Sequence, residues 1–469
     1  HVRQQAREIL AAFKLGELPQ LEATQQLTVG MRDYDLADAL VRQGAGAVGM
    51  LGSARGTAPE QAMPPLIWAT DALALNIEGH GGKVANSAKM LQAGLDVPPF
   101  YVLTNTALQQ FYAANPQILE RTRQLVLGVD PDDELSAGEV EREIKSMMAN
   151  GTVSPELQAS NLGAFKELAR QEGYSESELE QFSVADRSSM PGMEDLPGVP
   201  AAGIGDTETN VSSNSLITSW VIVLSSLFNR RAIAYRDKMA LFFWLRQIDR
   251  SQLTRVTELL DRALGDEETF TVPGRILPIP KERLLDRLRR IANAQDVRQL
   301  QLDQVYISTK QLLAIFDRIE QLPEGRELAQ NLRASLQAQI EQVVDPRNAG
   351  MSTLIQVMRQ SEVSIVSFSV DKASGWTGYT NGLEVVFFDA SYGLGEMIVG
   401  GKVNPDRYIV VRRRRADDQY EYVILDKILG TKERKLIYDP NTRKEVEVEV
   451  PQEDRDRFAL TDEQVLEVA

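Results

Sequence analysis

The chain has 469 residues, 43% of them hydrophobic and 25% charged, which is enough for two to four domains with sizeable cores. A formal charge of −16 repels phosphate backbones and anionic lipid surfaces, so no nucleic-acid partner and no membrane insertion are expected, although a local basic pocket stays open. There is no cysteine, which excludes disulfides and thiolate chemistry and fits a cytoplasmic location; the two histidines, His1 and His80, are too few for a histidine-rich metal site or a Ser-His-Asp triad.

The chain starts at His1 without Met, which points to trimming or to residues upstream, and no basic-then-apolar signal pattern stands there. Residues 1–79 hold helical patterns at Val2–Phe13 and around Asp35–Arg42, then a glycine-rich loop, Gly44–Gly56. From Gly81 the sequence reads as a loop, a helix ending at Gly94, the pair Pro98-Pro99 and a short strand, Phe100–Thr104. The next helix is capped by Asn105 or Thr106. Residues 129–182 are acidic and helical, with loops at Asp130–Asp133 and Asn150-Gly151. Residues 183–211 lack periodicity and are rich in Gly, Pro, Ser and Asp, as a long functional loop would be.

Leu216–Phe228 is the most apolar run, too short to span a bilayer, and reads as a buried helix. Helical spacing continues to about 345, at Leu253–Leu264, Lys281–Ala292 and Gln311–Gln321, with Phe270–Pro280 as a connector. From Met351 the pattern turns to strands: Leu354–Met358, Ser364–Val370, Glu384–Phe388, Tyr408–Arg412, Tyr420–Leu425 and Lys435–Tyr438. The tail carries a capped helix start, Thr461-Asp462-Glu463-Gln464.

Two nucleotide fingerprints fail on inspection. Gly79–Val84 (GHGGKV) places Ile77 where a P-loop needs its first glycine and Val84 where it needs Ser or Thr. Gly44–Gly49 satisfies G-x-G-x-x-G but follows a helical pattern instead of a strand. The run Arg412–Arg415 reads as a solvated hairpin edge that discourages sheet-to-sheet association.

Four longer blocks point elsewhere. Gly81–Thr104 (GGKVANSAKMLQAGLDVPPFYVLT), Ser183–Val211 (SVADRSSMPGMEDLPGVPAAGIGDTETNV), Ala390–Val410 (ASYGLGEMIVGGKVNPDRYIV) and the tail from Val450 follow one another in a fixed order. They resemble the ATP-binding domain of the phosphoenolpyruvate synthase and pyruvate phosphate dikinase family. The resemblance implies an α+β, ATP-grasp-like fold of two lobes closing on ATP, with magnesium as the accompanying ion. It implies an N-terminal extension at 1–79, a first part of the ATP-binding domain at 80–237, a helical insertion at 238–345 and a β-rich second part at 346–469.

It also implies roles. Lys83 stands where a point charge meets the phosphates, and Arg187 where a forked donor grips them and stabilises transferring charge. Gly203 to Thr207 match the loop over the phosphates, where missing side chains let backbone N–H groups approach. Gln356 and Met358 match the strand lining the adenine, through backbone amides and an apolar side chain. Glu396 matches a magnesium-side or ribose-side carboxylate. Taken singly, Lys83 is a surface lysine, Arg187 an ion-pair partner of Asp186, Glu396 a helix-end carboxylate and Gln356 a strand residue; only their joint placement raises the functional reading.

Departures from the family pattern are equally visible. Asp186 replaces an apolar residue beside Arg187, where a carboxylate would compete for the arginine's charge. Gly400 replaces a glutamine, and the strand motif before Gly375 has lost its first glycines. The family's later segments, its phosphohistidine signature and its pyruvate-binding barrel would follow Ala469. Two readings result: the ATP-binding portion of a phosphotransferase that passes phosphate to a histidine carrier and then to pyruvate, or a catalytically inactive homologue that binds protein partners through residues 1–79 or 238–345.

Overall fold

A computed structural model describes residues 63–191, 204–294, 307–368, 384–414, 420–439 and 444–469. The patterns at Val2–Phe13, Asp35–Arg42 and Gly44–Gly56 lie outside them, as does Gly203. The fold mixes helices with antiparallel sheets, as an α+β class requires. It divides into one unit ending at Val357 and another beginning at Met358.

In chain order the first unit contains β1 (Leu66–Trp68), α1 (Ile77–His80), α2 (Gly82–Gln92), β2 (Phe100–Leu103), α3 (Asn105–Ala114), α4 (Pro116–Gly128), α5 (Glu134–Ala149) and α6 (Pro155–Gln171). There follow β3 (Val184–Ser189), β4 (Thr207–Val211), α7 (Leu216–Ser225), α8 (Arg230–Leu245) and α9 (Ser251–Leu264). A two-residue pair, β5 (Thr269–Phe270) and β6 (Ile279–Pro280), leads to α10 (Lys281–Asn293), α11 (Thr309–Glu320), α12 (Arg326–Val343) and β7 (Ser352–Val357). Five strands form one antiparallel sheet in the order β1-β2-β7-β3-β4.

Successive side chains leave a strand by opposite faces, and the two faces are covered differently. On one, Ile67, Phe100, Val102 and Leu354 pack with Val84 and Ala88 of α2. On the other, Tyr101, Leu103, Val184, Ile355 and Val357 belong to a large core that runs on through the helices to Leu253, Leu288, Ile319 and Leu336. The spacing of Leu253, Val256, Leu260 and Leu264 on α9, and of Leu284, Leu288 and Ile291 on α10, is what turns one stripe of each helix inward.

Several local expectations need correction. The helix after β2 is capped by Thr104, whose hydroxyl accepts from the Thr106 amide, because Asn105 already has helical backbone; its side chain instead accepts from the Met351 amide. Residues 183–211 are strands at both ends, β3 and β4, with polar residues on them that mask the alternation. The 270–280 connector is closed by β5 and β6. Leu66–Trp68, within the segment read as an extension, is an edge strand of the sheet.

A buried carboxylate hub fixes the later helices. Asp130, fully buried, accepts from Arg275 Nη1 at 3.0 Å, Ser308 Oγ at 2.6 Å and Gln311 Nε2 at 3.0 Å. Asp132 accepts from Arg287 Nη1 and Gln311 Nε2, each at 2.9 Å, and Asp133 from the Ile276 amide at 2.5 Å. The loop between α4 and α5 thus ties down Arg275, Ile276 and Arg287 on one side and Ser308 and Gln311 on the other. Asp130→Ala removes the nearer carboxylate of Arg275, which keeps Asp132 at 3.4 Å, and leaves the Ser308 hydroxyl without its buried acceptor; it is expected to cost about 1–3 kcal/mol, seen as a lower thermal midpoint in calorimetry.

The second unit contains β8 (Val363–Phe368), β9 (Glu384–Tyr392), α13 (Glu396–Val399), β10 (Asp406–Arg414), β11 (Tyr420–Ile428), β12 (Arg434–Asp439), β13 (Lys444–Glu449), α14 (Gln452–Arg455) and α15 (Asp462–Val468). Its main sheet is antiparallel in the order β11-β10-β9-β8, and β12 pairs with β13. Arg412 to Arg414 therefore end an inner strand, not a sheet edge, and the edge-protection reading of that run fails. The capping box at Thr461 and Gln464 starts α15 as expected. Phe388, Tyr408 and Val410 pack against Leu460 and Val465.

Asp406 and Lys432 form a buried pair at 2.5 Å, both side chains wholly enclosed. Asp406 also accepts from the amides of Gly430 and Ala459, and Lys432 Nζ donates to the carbonyls of Gly430 and Arg455, so both groups are well supplied with partners. Lys432→Met leaves that carboxylate without a cation, with an expected cost of about 3–5 kcal/mol. Lys427→Met, which removes a solvent-exposed bridge to Asp462, serves as the control and should cost about 0–1 kcal/mol for the bridge; equal shifts in denaturant midpoint would contradict this.

Candidate functional site

The segment GHGGKV runs helix, turn, helix: α1 ends at His80 and α2 begins at Gly82, so no strand precedes it and it is no P-loop. Gly81 has φ +82°, and a Cβ there would lie 2.8 Å from Ser189 Oγ and 3.0 Å from the Met190 main chain. The turn therefore sits directly on the end of β3, and only glycine fits. Lys83, half-buried in the first turn of α2, donates from Nζ to the Ser188 carbonyl at 3.0 Å.

The residue before Ser188 is Arg187. Its cross-strand partners are Leu354 on β7 and Thr207 on β4. Leu354 packs with α2, so Arg187, Thr207 and Gln356 share the α2 side of the sheet. Arg187 Nη1 donates to Gln356 Oε1 at 3.0 Å, and Gln356 Nε2 donates to the Pro98 carbonyl at 3.0 Å. Thr207 is exposed. Four of the sequence-derived residues, Lys83, Arg187, Thr207 and Gln356, are thus gathered on one side of one sheet.

The remaining three fall outside the described residues of the first unit. Gly203 lies outside the described residues, though its neighbour Ile204 is buried in the large helical core. Met358 follows β7 directly and is half-buried, and Glu396 is exposed at the start of α13 in the second unit. The main chain at Gln356 is already used within the sheet. β7 is flanked by β2 and β3, so its main chain faces those strands, and the Gln356 side chain joins Arg187 to the Pro98 carbonyl.

Asp186 does not compete for Arg187. It leaves β3 by the opposite face, is fully buried, and accepts from Ser219 Oγ of α7 at 3.4 Å. Burial holds its carboxyl well above the usual carboxylate range.

Comparison with known proteins decides the family. Residues 77–242 and 327–469, more than half of the chain, match the pyruvate phosphate dikinase AMP/ATP-binding domain. The chain belongs to that family. Phosphoenolpyruvate synthase from Aquifex aeolicus is 23% identical over 411 residues, covering 86% of this chain and 34% of its own length. The Escherichia coli enzyme of the same name is 24% identical over 416 residues, covering 87% and 37%. A shorter stretch of 122 residues is 35% identical to phosphoenolpyruvate synthase from Synechocystis. The chain spans about a third of the length of the first two relatives. Within the family match, residues 243–326 are skipped; they include α9, α10 and α11.

Seen against that dikinase-type domain, two features escaped sequence reading. One is the opposed placement of Asp186 and Arg187, which needs β3 to be recognised as a strand. The other is the pair of buried serines Ser189 and Ser352 at the Lys83 turn; the doublet in DRSSM was the only trace of the first. Among the described residues no group of three or more His, Asp or Glu is arranged to hold a metal, and no helix is long and apolar enough to cross a membrane.

The buried acid gives a pH test. With a folded pKa above the unfolded value near 3.9, native protein holds one more proton than unfolded chain once the pH passes that value, so Asp186 costs stability as pH rises toward its folded pKa. Asp186→Asn removes this term. Its melting temperature relative to wild type should climb as pH rises above about 4, measured in matched buffers; a flat difference would show that burial does not raise the carboxyl's pKa.

Proposed function

We propose that this chain is the ATP-binding portion of a phosphoenolpyruvate-synthase-like phosphotransferase of the cytoplasm. The observation that carries the proposal is the pairing of two cations, Lys83 and Arg187, on the α2 side of the first sheet, with the Asp186 carboxylate turned away through the other side. Phosphate groups need such cationic partners where water is displaced. Lys83 supplies a compact ammonium, and Arg187 a fork already oriented by Gln356. Thr207 stands beside Arg187 as a hydroxyl donor, with Gly203 ahead of it in the sequence.

Magnesium suits this reading because it keeps several waters and takes its other oxygens from phosphates and one or two carboxylates, so a protein-only cage is unnecessary. Glu396 is the carboxylate we assign to it or to the ribose, and Met358 the apolar residue we assign to the base. The ATP-grasp-like architecture, transfer to a histidine carrier and onward transfer to pyruvate belong to the same proposal and draw on the motif resemblance. The second reading, an inactive homologue binding protein partners, is favoured by residues 243–326, which the family match skips.

Under the proposal, millimolar ATP with magnesium raises the melting temperature, as a ligand of the native state must. Arg187→Ala and Lys83→Ala should each weaken ATP binding about tenfold to a hundredfold, the range for a lost charge-assisted hydrogen bond, measured by calorimetric titration. No thermal shift with wild type would sink nucleotide binding. Binding that is intact, yet without ATP-dependent phosphate release or transfer when histidine-carrier and pyruvate-binding domains of a relative are supplied, would favour the second reading.

A further inference from the structure

One rung of the first sheet receives both ends of the glycine-lysine turn. Ser189 on β3 and Ser352 on β7 are cross-strand partners, both fully buried. By strand alternation they lie on the side that carries Arg187 and Gln356. His80, 1% exposed, brings Nδ1 to 3.1 Å from Ser352 Oγ. Four residues on, the Val84 amide donates to Ser189 Oγ at 3.4 Å, which supplies the N-terminal cap that Gly81 has no side chain to give. Gly81 itself lies against Ser189 and Met190. The turn that carries Lys83 is therefore pinned ahead of the lysine by His80 and behind it by Val84.

A histidine filling core volume is the plainer account of His80. It leaves the match of Nδ1 to a buried hydroxyl unexplained, since an aliphatic side chain would fill the same space and leave Ser352 to be satisfied elsewhere. Serine donates or accepts as needed, so the bond survives in either tautomer of the neutral ring, and burial, which lowers the imidazole's pKa, keeps the ring neutral at ordinary pH.

We propose that His80 is a positioning residue for nucleotide binding: by engaging Ser352 it holds the Gly81–Lys83 turn on the serine rung and so fixes where the Lys83 ammonium stands. This rests on the nucleotide-binding reading above. It assigns a role to a side chain that does not itself need to touch the ligand, in the way supporting hydrogen bonds set the precision of binding groups.

The test uses the full chain and two readouts, one of them independent of nucleotide. His80→Leu keeps bulk and removes the bond; His80→Asn places an acceptor close to the position of Nδ1. Hydrogen exchange at the Val84 and Ala85 amides, which donate to Ser189 and Gly81, should, without nucleotide, quicken at least tenfold in His80→Leu and return toward wild type in His80→Asn. The ATP dissociation constant should follow the same order, about tenfold weaker in the leucine variant and largely restored by asparagine. Arg187→Ala should lose ATP while these amides stay protected. Unchanged exchange in His80→Leu, or failure of His80→Asn to restore it, overturns the positioning role even if ATP binds normally. Wild type that binds no ATP overturns the nucleotide-binding reading and this inference with it. Should His80→Leu fail to fold, the asparagine variant and Ser352→Ala carry the comparison: faster exchange in Ser352→Ala supports the rung, and wild-type exchange there overturns it.

Discussion

In an extended strand, adjacent side chains must depart on opposite sides, and on β3 this separates Arg187 from Asp186. The sequence neighbours that look like a self-neutralising pair belong to two environments. Arg187 stands on the α2 side with a glutamine partner, and Asp186 is sealed beneath the sheet against α7. Everything read into the site depends on that split. A one-residue slip of β3 would bury the cation and turn the acid toward Lys83. The pairing of β3 with β7 over six consecutive rungs, Val184 to Ser189, is what prevents the slip.

Elsewhere two enclosed carboxylates are richly bonded. Asp130 gathers an arginine, a serine and a glutamine from a stretch of chain far along the sequence, and Asp406 gathers a lysine and two amides. Both carboxylates join segments distant in sequence, so each acts as a fastening as well as a buried ion. With 67 acidic against 51 basic residues, several cations are committed to such fastenings. That makes the presence of Lys83 and Arg187 on one sheet side the more informative.

The helices were legible because α9, α10 and α11 carry apolar residues at three- and four-residue spacing. The second unit's strands were legible from their Val, Ile and Tyr content, though β9 and β10 run longer than expected. The strands that build the site were harder to see. β3 reads VADRSS, with an arginine, an aspartate and two serines, and β4 reads TETNV. A strand between neighbours can bury polar side chains when partners on packed helices and adjoining turns satisfy them, and no local pattern reports partners 100 or more residues away. Lys83, Arg187, Thr207 and Gln356 were found through motif resemblance. His80 and Ser352 belong to no quoted motif role and emerged only from their proximity. The cap at Thr104 went one residue astray because Asn105, a good capping residue in isolation, is recruited by Met351 instead.

The position of β7 between β2 and β3 has a consequence for synthesis. About 140 residues, mostly helical where described, separate the end of β4 from the start of β7. At roughly 5–20 residues per second a ribosome needs on the order of ten to thirty seconds to make them. Throughout that interval β2 and β3 each lack their shared neighbour and present open hydrogen-bonding edges, the feature that invites pairing between chains. The nascent domain therefore has to keep two half-sheets apart, or shielded by the helices already made or by a chaperone, until one late strand emerges and closes the gap.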